Sequence, residues 1–117
     1  MIDLEKLKEE QRKLAQKIVL TDGFTRAKVM GGVTQAFIGN TILSCFVVCD
    51  RSLKVVEKAV VSQEAAFPSI PGFRAYREMP AMVAAYEKIK QKPDVILVDG
   101  NGILHPRRLG LASHFGL

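Results

Sequence analysis

Two carboxylates in this sequence have neighbours that suit them to chemistry. Asp99 directly follows an apolar run, Val95 to Val98, and precedes a glycine. A carboxylate that leaves a buried strand can ligate Mg²⁺ through oxygen, although an Asp-Gly pair is also a common turn. Glu78 stands before a predicted helix, where a carboxylate can act as a ligand or can simply offset the helix dipole.

A basic block, His105-Pro106-Arg107-Arg108, follows Asp99. Arginine binds phosphate through paired hydrogen bonds, and histidine can move a proton near neutral pH. A solvated basic loop is the alternative interpretation. Arg74 and Arg77 could extend the same basic face, whereas the nearby aromatic residues fit connector packing better than base stacking; these are Phe67, Phe73 and Tyr76.

The first half of the chain must supply the frame that positions these residues. Helical spacing of apolar residues predicts a helix over 4–18, which ends at Thr21-Asp22-Gly23. Two apolar runs joined by Gly39-Asn40 predict a hairpin of strands 28–38 and 41–49. The second run is apolar on both faces, so we expect it inside a sheet that is covered on both sides. A third strand is predicted at about 53–62.

The second half of the chain changes pattern. Two prolines make the segment Phe67 to Gly72 a rigid connector. A helix is predicted over 80–90 with Pro80 in its first turn. The continuous apolar run 94–98 is typical of a buried parallel strand, and the stretch 105–117 is compatible with a further helix.

This order predicts an α/β fold: three antiparallel strands, then a right-handed helical crossover to a parallel strand. The arrangement is the opening half of a ribonuclease-H-like mixed sheet, and we expect one partial domain over 1–117. Ligands gather at the carboxyl ends of parallel strands in such sheets, and Asp99 lies at such an end.

Composition agrees with a globular protein but says little about its partners. The chain has 117 residues, is 48% hydrophobic and 25% charged, and carries a net charge of +5. It has no apolar run long enough to span a bilayer and no signal-peptide pattern at its start. Cys45 and Cys49 would lie ~13 Å apart along a strand, too far for a disulfide, which favours free thiols in a reducing cytoplasm.

The second half of the sequence resembles endonuclease V. The resemblance rests on Phe67-Pro68-Ser69-Ile70-Pro71-Gly72-Phe73, Tyr76-Arg77-Glu78, Lys92-Pro93-Asp94 and the block from Val98 to Gly116. Before residue 64 it is weak. It implies a ribonuclease-H-like fold and a Mg²⁺-dependent endonuclease of nucleic-acid repair, which cleaves DNA near deoxyinosine or RNA near inosine.

The resemblance also implies roles for particular residues. Asp99 and Glu78 would hold Mg²⁺, with Mn²⁺ as a substitute, and His105 would join them in the active site. Residues of the connector, the Asp99 turn and the basic loops would contact the nucleic acid: Ser69, Pro71, Gly72, Arg74, Arg77, Gly100, Gly102, Arg107 and Arg108.

Three departures from the family pattern argue for altered catalysis. Thr34 stands where the family places an Asp ligand, and Ser69 stands where it places a tyrosine wedge. A later lysine-bearing strand is absent, so we expect a chain that lacks the C-terminal part of the fold.

Three interpretations stay open: an inactive relative, one part of a split enzyme, or a protein that binds nucleic acid without cutting it. An interaction module, as a homodimer or with a complementary chain, is a further alternative, because exposed sheet edges recruit strands.

Overall fold

The computed structural model describes residues 2–21 and 27–117, which form three helices and four strands. In chain order these are α1 (Leu4–Ala15), β1 (Met30–Ile38), β2 (Thr41–Cys49), β3 (Val55–Glu64), α2 (Arg74–Lys88), β4 (Val95–Val98) and α3 (Leu111–Phe115). None of the helices in these ranges is long and apolar enough to cross a membrane.

The strands form one mixed sheet in the order β3-β2-β1-β4. β1 and β2 pair antiparallel around the turn at Gly39, whose φ of +61° is a backbone conformation that glycine adopts without strain. β2 and β3 also pair antiparallel, whereas β1 and β4 pair parallel, with Val33 opposite Val98. The predicted α/β architecture, three antiparallel strands followed by a helix and a parallel strand, is confirmed.

One face of the sheet carries the hydrophobic core. α2 packs across β1, β2 and β3, and Phe46 of β2 is completely buried against α2 residues such as Met82 and Ala85. Along β2, buried residues alternate with half-buried ones. The expectation that β2 is covered on both faces is therefore wrong for the described residues: only the α2 face is fully covered. We call the opposite face the open face.

The end of α1 and the start of α2 differ from the sequence-based prediction. α1 ends at Ala15 rather than at residue 18, and Asp22 and Gly23, its predicted stop, lie outside the described residues. α2 begins at Arg74, so Pro80 lies inside the helix and not in its first turn. Glu78 is consequently a helical residue rather than one that precedes a helix. Packing of buried residues from Ala75 onward outweighs the backbone hydrogen bond that Pro80 cannot donate.

Candidate functional site

A groove of about 550 Å³ lies between the connector, α2 and the loop that follows β4. We call it the connector groove. It brings together seven of the predicted site residues: Ser69, Pro71, Gly72, Arg74, Arg77, Glu78 and His105. Phe37, at the end of β1, and Asn101 line it as well. Residues that are far apart in the sequence thus form one concave surface.

Glu78 lies at the base of this groove and is fully engaged. Its side chain is only 6% exposed, and both carboxylate oxygens accept hydrogen bonds from Arg74. Gln35 of β1 donates its Nε2 to Glu78 Oε1 at 2.9 Å. A metal ion at this carboxylate would compete with Arg74 and Gln35 for its oxygens.

The backbone carbonyl of Gly72 joins three parts of the chain. It accepts hydrogen bonds from Gln11 Nε2 at 3.0 Å, His105 Nε2 at 2.7 Å and Arg107 Nη2 at 3.2 Å. Gly72 has a φ of +85°, and a Cβ there would lie 2.6 Å from Arg107 Nη2, so no other residue fits without strain. The connector is therefore fixed to α1 and to the basic loop at this one atom.

His105 acts in this arrangement as a structural link. Its Nδ1 accepts hydrogen bonds from the backbone N–H groups of Arg107 and Leu109, at 3.0 and 3.3 Å. Because Nδ1 is an acceptor, Nε2 carries the proton that is donated to Gly72. Both ring nitrogens are occupied, and the predicted catalytic role of His105 would require one of these bonds to break.

Gln11 is a site residue that the sequence analysis missed. It is completely buried although it lies on a mostly exposed helix, and it also accepts a hydrogen bond from Arg107 Nε. A signal was available: Gln11 occupies the apolar face of α1, in the series that contains Leu7 and Leu14. A polar residue at such a position calls for a buried hydrogen-bond partner.

The aromatic residues of the connector pack on each other, as predicted. Phe67 lies 5.7 Å from Tyr76 and 6.4 Å from Phe73 between ring centroids. Arg77 donates to the carbonyl of Phe67 at 2.8 Å and stacks on the Phe37 ring at 5.0 Å. These contacts hold Arg77 and Phe37, which both line the connector groove.

Asp99 and Thr34 lie in a different groove, of about 460 Å³, on the open face. Parallel pairing places Val33 opposite Val98, so the next residue on each strand, Thr34 and Asp99, faces the same side. Val33 and Val98 pack into the core instead. The structure therefore brings Thr34 and Asp99 together but leaves Glu78 on the other face of the sheet.

The described residues do not fit a complete magnesium site. Over 2–21 and 27–117, no group of three or more His, Cys, Asp or Glu side chains is placed to hold a metal. Asp99 is the one carboxylate in its groove, beside the neutral hydroxyl of Thr34. Mg²⁺ requires near-octahedral oxygen ligation, to which proteins usually contribute carboxylates.

Gly100 and Gly102 shape the loop between β4 and α3 and do not line the connector groove. A Cβ on Gly100 would lie 2.9 Å from Leu111 Cβ, and the carbonyl of Gly102 accepts a hydrogen bond from Gly110 at 2.8 Å. Their predicted contacts with nucleic acid stay predictions. Arg107 and Arg108 line a third groove, against α1.

Comparison with known proteins gives a family match over most of the chain. A family model described as Endonuclease V matches residues 12–117. Endonuclease V of Dictyoglomus turgidum is 44% identical over 107 residues, which are 91% of this chain and 47% of that protein. The chain thus spans about half the length of the curated relatives it matches.

Solved structures agree with this similarity. The crystal structure of Endonuclease V from Streptomyces avermitilis superposes with a TM-score of 0.91 at 33% identity, over 99% of this chain and 53% of that one. Endonuclease V from Ciona intestinalis, in complex with a DNA that contains an inosine followed by a ribo-adenosine, superposes with a TM-score of 0.87 at 28% identity. That match covers 97% of this chain and 52% of the other.

Proposed function

The chain belongs to the endonuclease V family, and from this premise we propose that it binds inosine-containing DNA or RNA through the connector groove. In this proposal it supplies the nucleobase-contacting half of a nuclease for nucleic-acid repair. The observation that carries the proposal is the convergence of Ser69, Pro71, Gly72, Arg74 and Arg77 on one groove. The inosine-containing DNA bound to the Ciona relative supports it.

The walls of the groove suit an unstacked nucleotide. Apolar side chains such as Phe37, Ile70 and Leu109 lie beside polar ones in the groove, which is typical of pockets that enclose a flat base. The Arg74 side chain is 49% exposed but already pairs with Glu78 through Nε and Nη2, so an approaching phosphate would share this guanidinium with Glu78. Extruding a base from a duplex costs a few kcal/mol, and the exposed Ser69 offers no ring on which a base could stack.

We propose that magnesium binding by this chain is feeble. Bound Mg²⁺ or Mn²⁺ would activate water and neutralise charge on the scissile phosphate. Asp99 is the carboxylate of the open-face groove, and Glu78 is held by Arg74 on the opposite face. Phosphodiester cleavage, a ribonuclease-H-like fold for the whole nuclease and a cytoplasmic location stay proposals; the free thiols of Cys45 and Cys49 support the last.

Restoring the family's aromatic wedge tests the proposed function. Base stacking on an aromatic side chain is worth about 1–3 kcal/mol, so Ser69→Tyr should raise affinity for an inosine oligonucleotide about tenfold. The unmodified chain should bind weakly, with little preference for inosine over a matched adenosine oligonucleotide. Fluorescence anisotropy with both oligonucleotides measures this.

A matched variant controls for the added tyrosine. Ser52 is exposed in the turn between β2 and β3, so Ser52→Tyr should leave affinity unchanged. Equal gains in the two variants would contradict a role for the connector groove. Failure of the unmodified chain to bind any oligonucleotide would overturn the proposed function. A strong inosine preference in the unmodified chain would show that selectivity for inosine does not require an aromatic ring at residue 69.

A second proposed function is protein association through the open face, as a homodimer or with a complementary chain. The observation that favours it is the exposure of large apolar side chains there, including Leu97 at 70% and Val60 at 56%. β4 is also an edge strand, with only β1 as its neighbour in the described sheet.

A further inference from the structure

A third groove, of about 510 Å³, lies between α1 and the basic loop. We call it the α1–loop groove. Arg12 and Gln16 line it from α1, and Pro106, Arg107 and Arg108 line it from the loop. We propose that this groove binds a backbone phosphate of the nucleic acid whose base enters the connector groove. The inference rests on the proposed function and adds α1 to the nucleic-acid interface.

Arg107 is held rigidly before any ligand arrives. Its Nε donates to Gln11, its Nη2 donates to Gly72, and its guanidinium carbon lies 4.8 Å from the centre of the Phe73 ring. Nη1 makes no hydrogen bond within the described residues, so it is the group left for an anion. A guanidinium that is already ordered loses little entropy when it binds phosphate.

Arg108 is also held by its backbone. Its φ of +59° lies in the left-handed region, which non-glycine residues rarely adopt. The hydrogen bond from Arg108 N to the His105 carbonyl, at 3.0 Å, closes this turn. The residue is exposed, and neither it nor Arg107 has a carboxylate within ion-pair distance in the described parts of the chain.

Arg12 is the third arginine of the groove, and it forms an ion pair with the carboxylate of Glu9. Glu9 lies 3.7 Å from Arg12 Nη1, and the two side chains are 58% and 54% exposed. An exposed ion pair of this kind is weak, so a phosphate can displace it. Three arginines line the groove, and among the described residues the one carboxylate paired with any of them is the loosely bound Glu9, so the groove suits an anion.

The Gly72 carbonyl joins this groove to the connector groove. Gly72 lines the connector groove, and the Arg107 side chain that it anchors lines the α1–loop groove. The two grooves therefore share a wall. A nucleotide whose base lies in the connector groove has backbone phosphates on both sides, and in this proposal one of them lies along the shared wall.

Salt dependence of binding tests the phosphate site. Each phosphate contact contributes about −0.7 to the slope of log K against log salt for a single strand and about −0.9 for a duplex. Arg12→Gln and Arg108→Gln should each lower affinity several-fold, with equal effect on inosine and adenosine oligonucleotides, and should reduce the slope by about one contact. Glu9→Gln should raise affinity, because it removes the competitor for Arg12.

Lys13→Gln is the matched control, since it removes one positive charge from α1 at an exposed position that does not line the groove. If Arg12→Gln and Arg108→Gln change the slope no more than Lys13→Gln does, the phosphate site is refuted while the proposed function stands. A loss confined to the inosine oligonucleotide also refutes it, because phosphate contacts do not read sequence. Absence of all nucleic-acid binding overturns both proposals.

Discussion

Single side chains on the two faces of the sheet have different chemistry available to them. On the α2 face, Glu78, His105 and Arg107 are each committed to hydrogen bonds within the protein. On the open face, Asp99 is exposed beside Thr34, and its side chain makes no hydrogen bond with the part of the chain that the structure describes. Any metal affinity of this chain should therefore depend on residue 34 and Asp99 rather than on Glu78.

We predict that Thr34→Asp raises Mg²⁺ or Mn²⁺ affinity about tenfold, because it adds a second anionic oxygen ligand to the groove. Asp99→Asn should abolish this gain, so the two changes should be strongly non-additive in a double-mutant cycle. Titration calorimetry on the four variants measures both effects. Ala36→Asp is the control, since Ala36 lies on the same face of β1, two residues farther along the strand.

If Thr34→Asp leaves metal affinity unchanged, or if its gain survives Asp99→Asn, the two residues do not share a site. A gain of equal size from Ala36→Asp would likewise show that any added carboxylate on this face suffices.

At the scale of elements, the contacts among α1, α2 and α3 bury one titratable group and partly bury another. His114 of α3 is 8% exposed and packs edge-on against Tyr76 of α2, with 5.4 Å between ring centroids. Burial lowers the pKa of His114 below its ordinary 6.5, and His105 adds to this effect while Glu10 opposes it. Burial also raises the pKa of Tyr76, and its hydrogen bond to Glu10 on α1 raises it further.

We predict that the free energy of unfolding falls as pH drops below about 6.5. The folded chain keeps His114 neutral while the unfolded chain protonates it, so the unfolded state binds more protons and gains stability as pH falls. His114→Phe keeps a ring against Tyr76 and removes the titration. The free energy of unfolding, measured with urea between about pH 7 and 5, should therefore change less steeply with pH in this variant.

The acidic end of the profile provides an internal control for this prediction. Backbone N–H groups lower the pKa of Glu57 below 4.5 and of Asp94 below 3.8. The stability that these two ionised carboxylates contribute is present above their ordinary pKa values and is lost only at more acidic pH. The unmodified chain and His114→Phe should therefore lose stability equally in that acidic range. If the free energy of unfolding changes equally with pH near pH 6 in the unmodified chain and in His114→Phe, the assignment to His114 is refuted.

At the scale of the whole molecule, the fold is thin. Its principal extents are 45 × 35 × 19 Å, and the shortest matches one sheet and one helix layer. No helix of the described residues covers the open face of the sheet. Leu97, Val60 and the half-buried Cys45 form an apolar surface there. Exposed apolar patches of several hundred Å² are unusual for monomers.

We therefore predict that the isolated chain self-associates through the open face or is stabilised by a complementary chain. Light scattering over a concentration series should show a rising mass, and Val60→Lys should reduce it. Leu53→Lys is the control, because Leu53 is 73% exposed but lies in a turn rather than on the sheet. A monomer at high concentration, or equal effects of the two lysines, would contradict this prediction.

The sequence by itself determined the elements whose signals are local. Gly39-Asn40 predicted the β1–β2 hairpin, the apolar run before Asp99 predicted β4, and the prolines predicted a connector packed by its own aromatic residues. These inferences held because turn geometry, strand patterning and proline restriction act over a few residues. The family resemblance rests on motifs of the same short range.

Only the tertiary structure decided which residues meet. Glu78 and Asp99 are separated because α2, which carries Glu78, covers one face of the sheet, whereas the register of β1 and β4 places Asp99 on the other face. The start of α2 at Arg74 follows from packing on β2 rather than from Pro80. The bonds of Gln11 and His105 to Gly72 join residues distant in sequence. Such contacts depend on how elements pack, which no local pattern specifies.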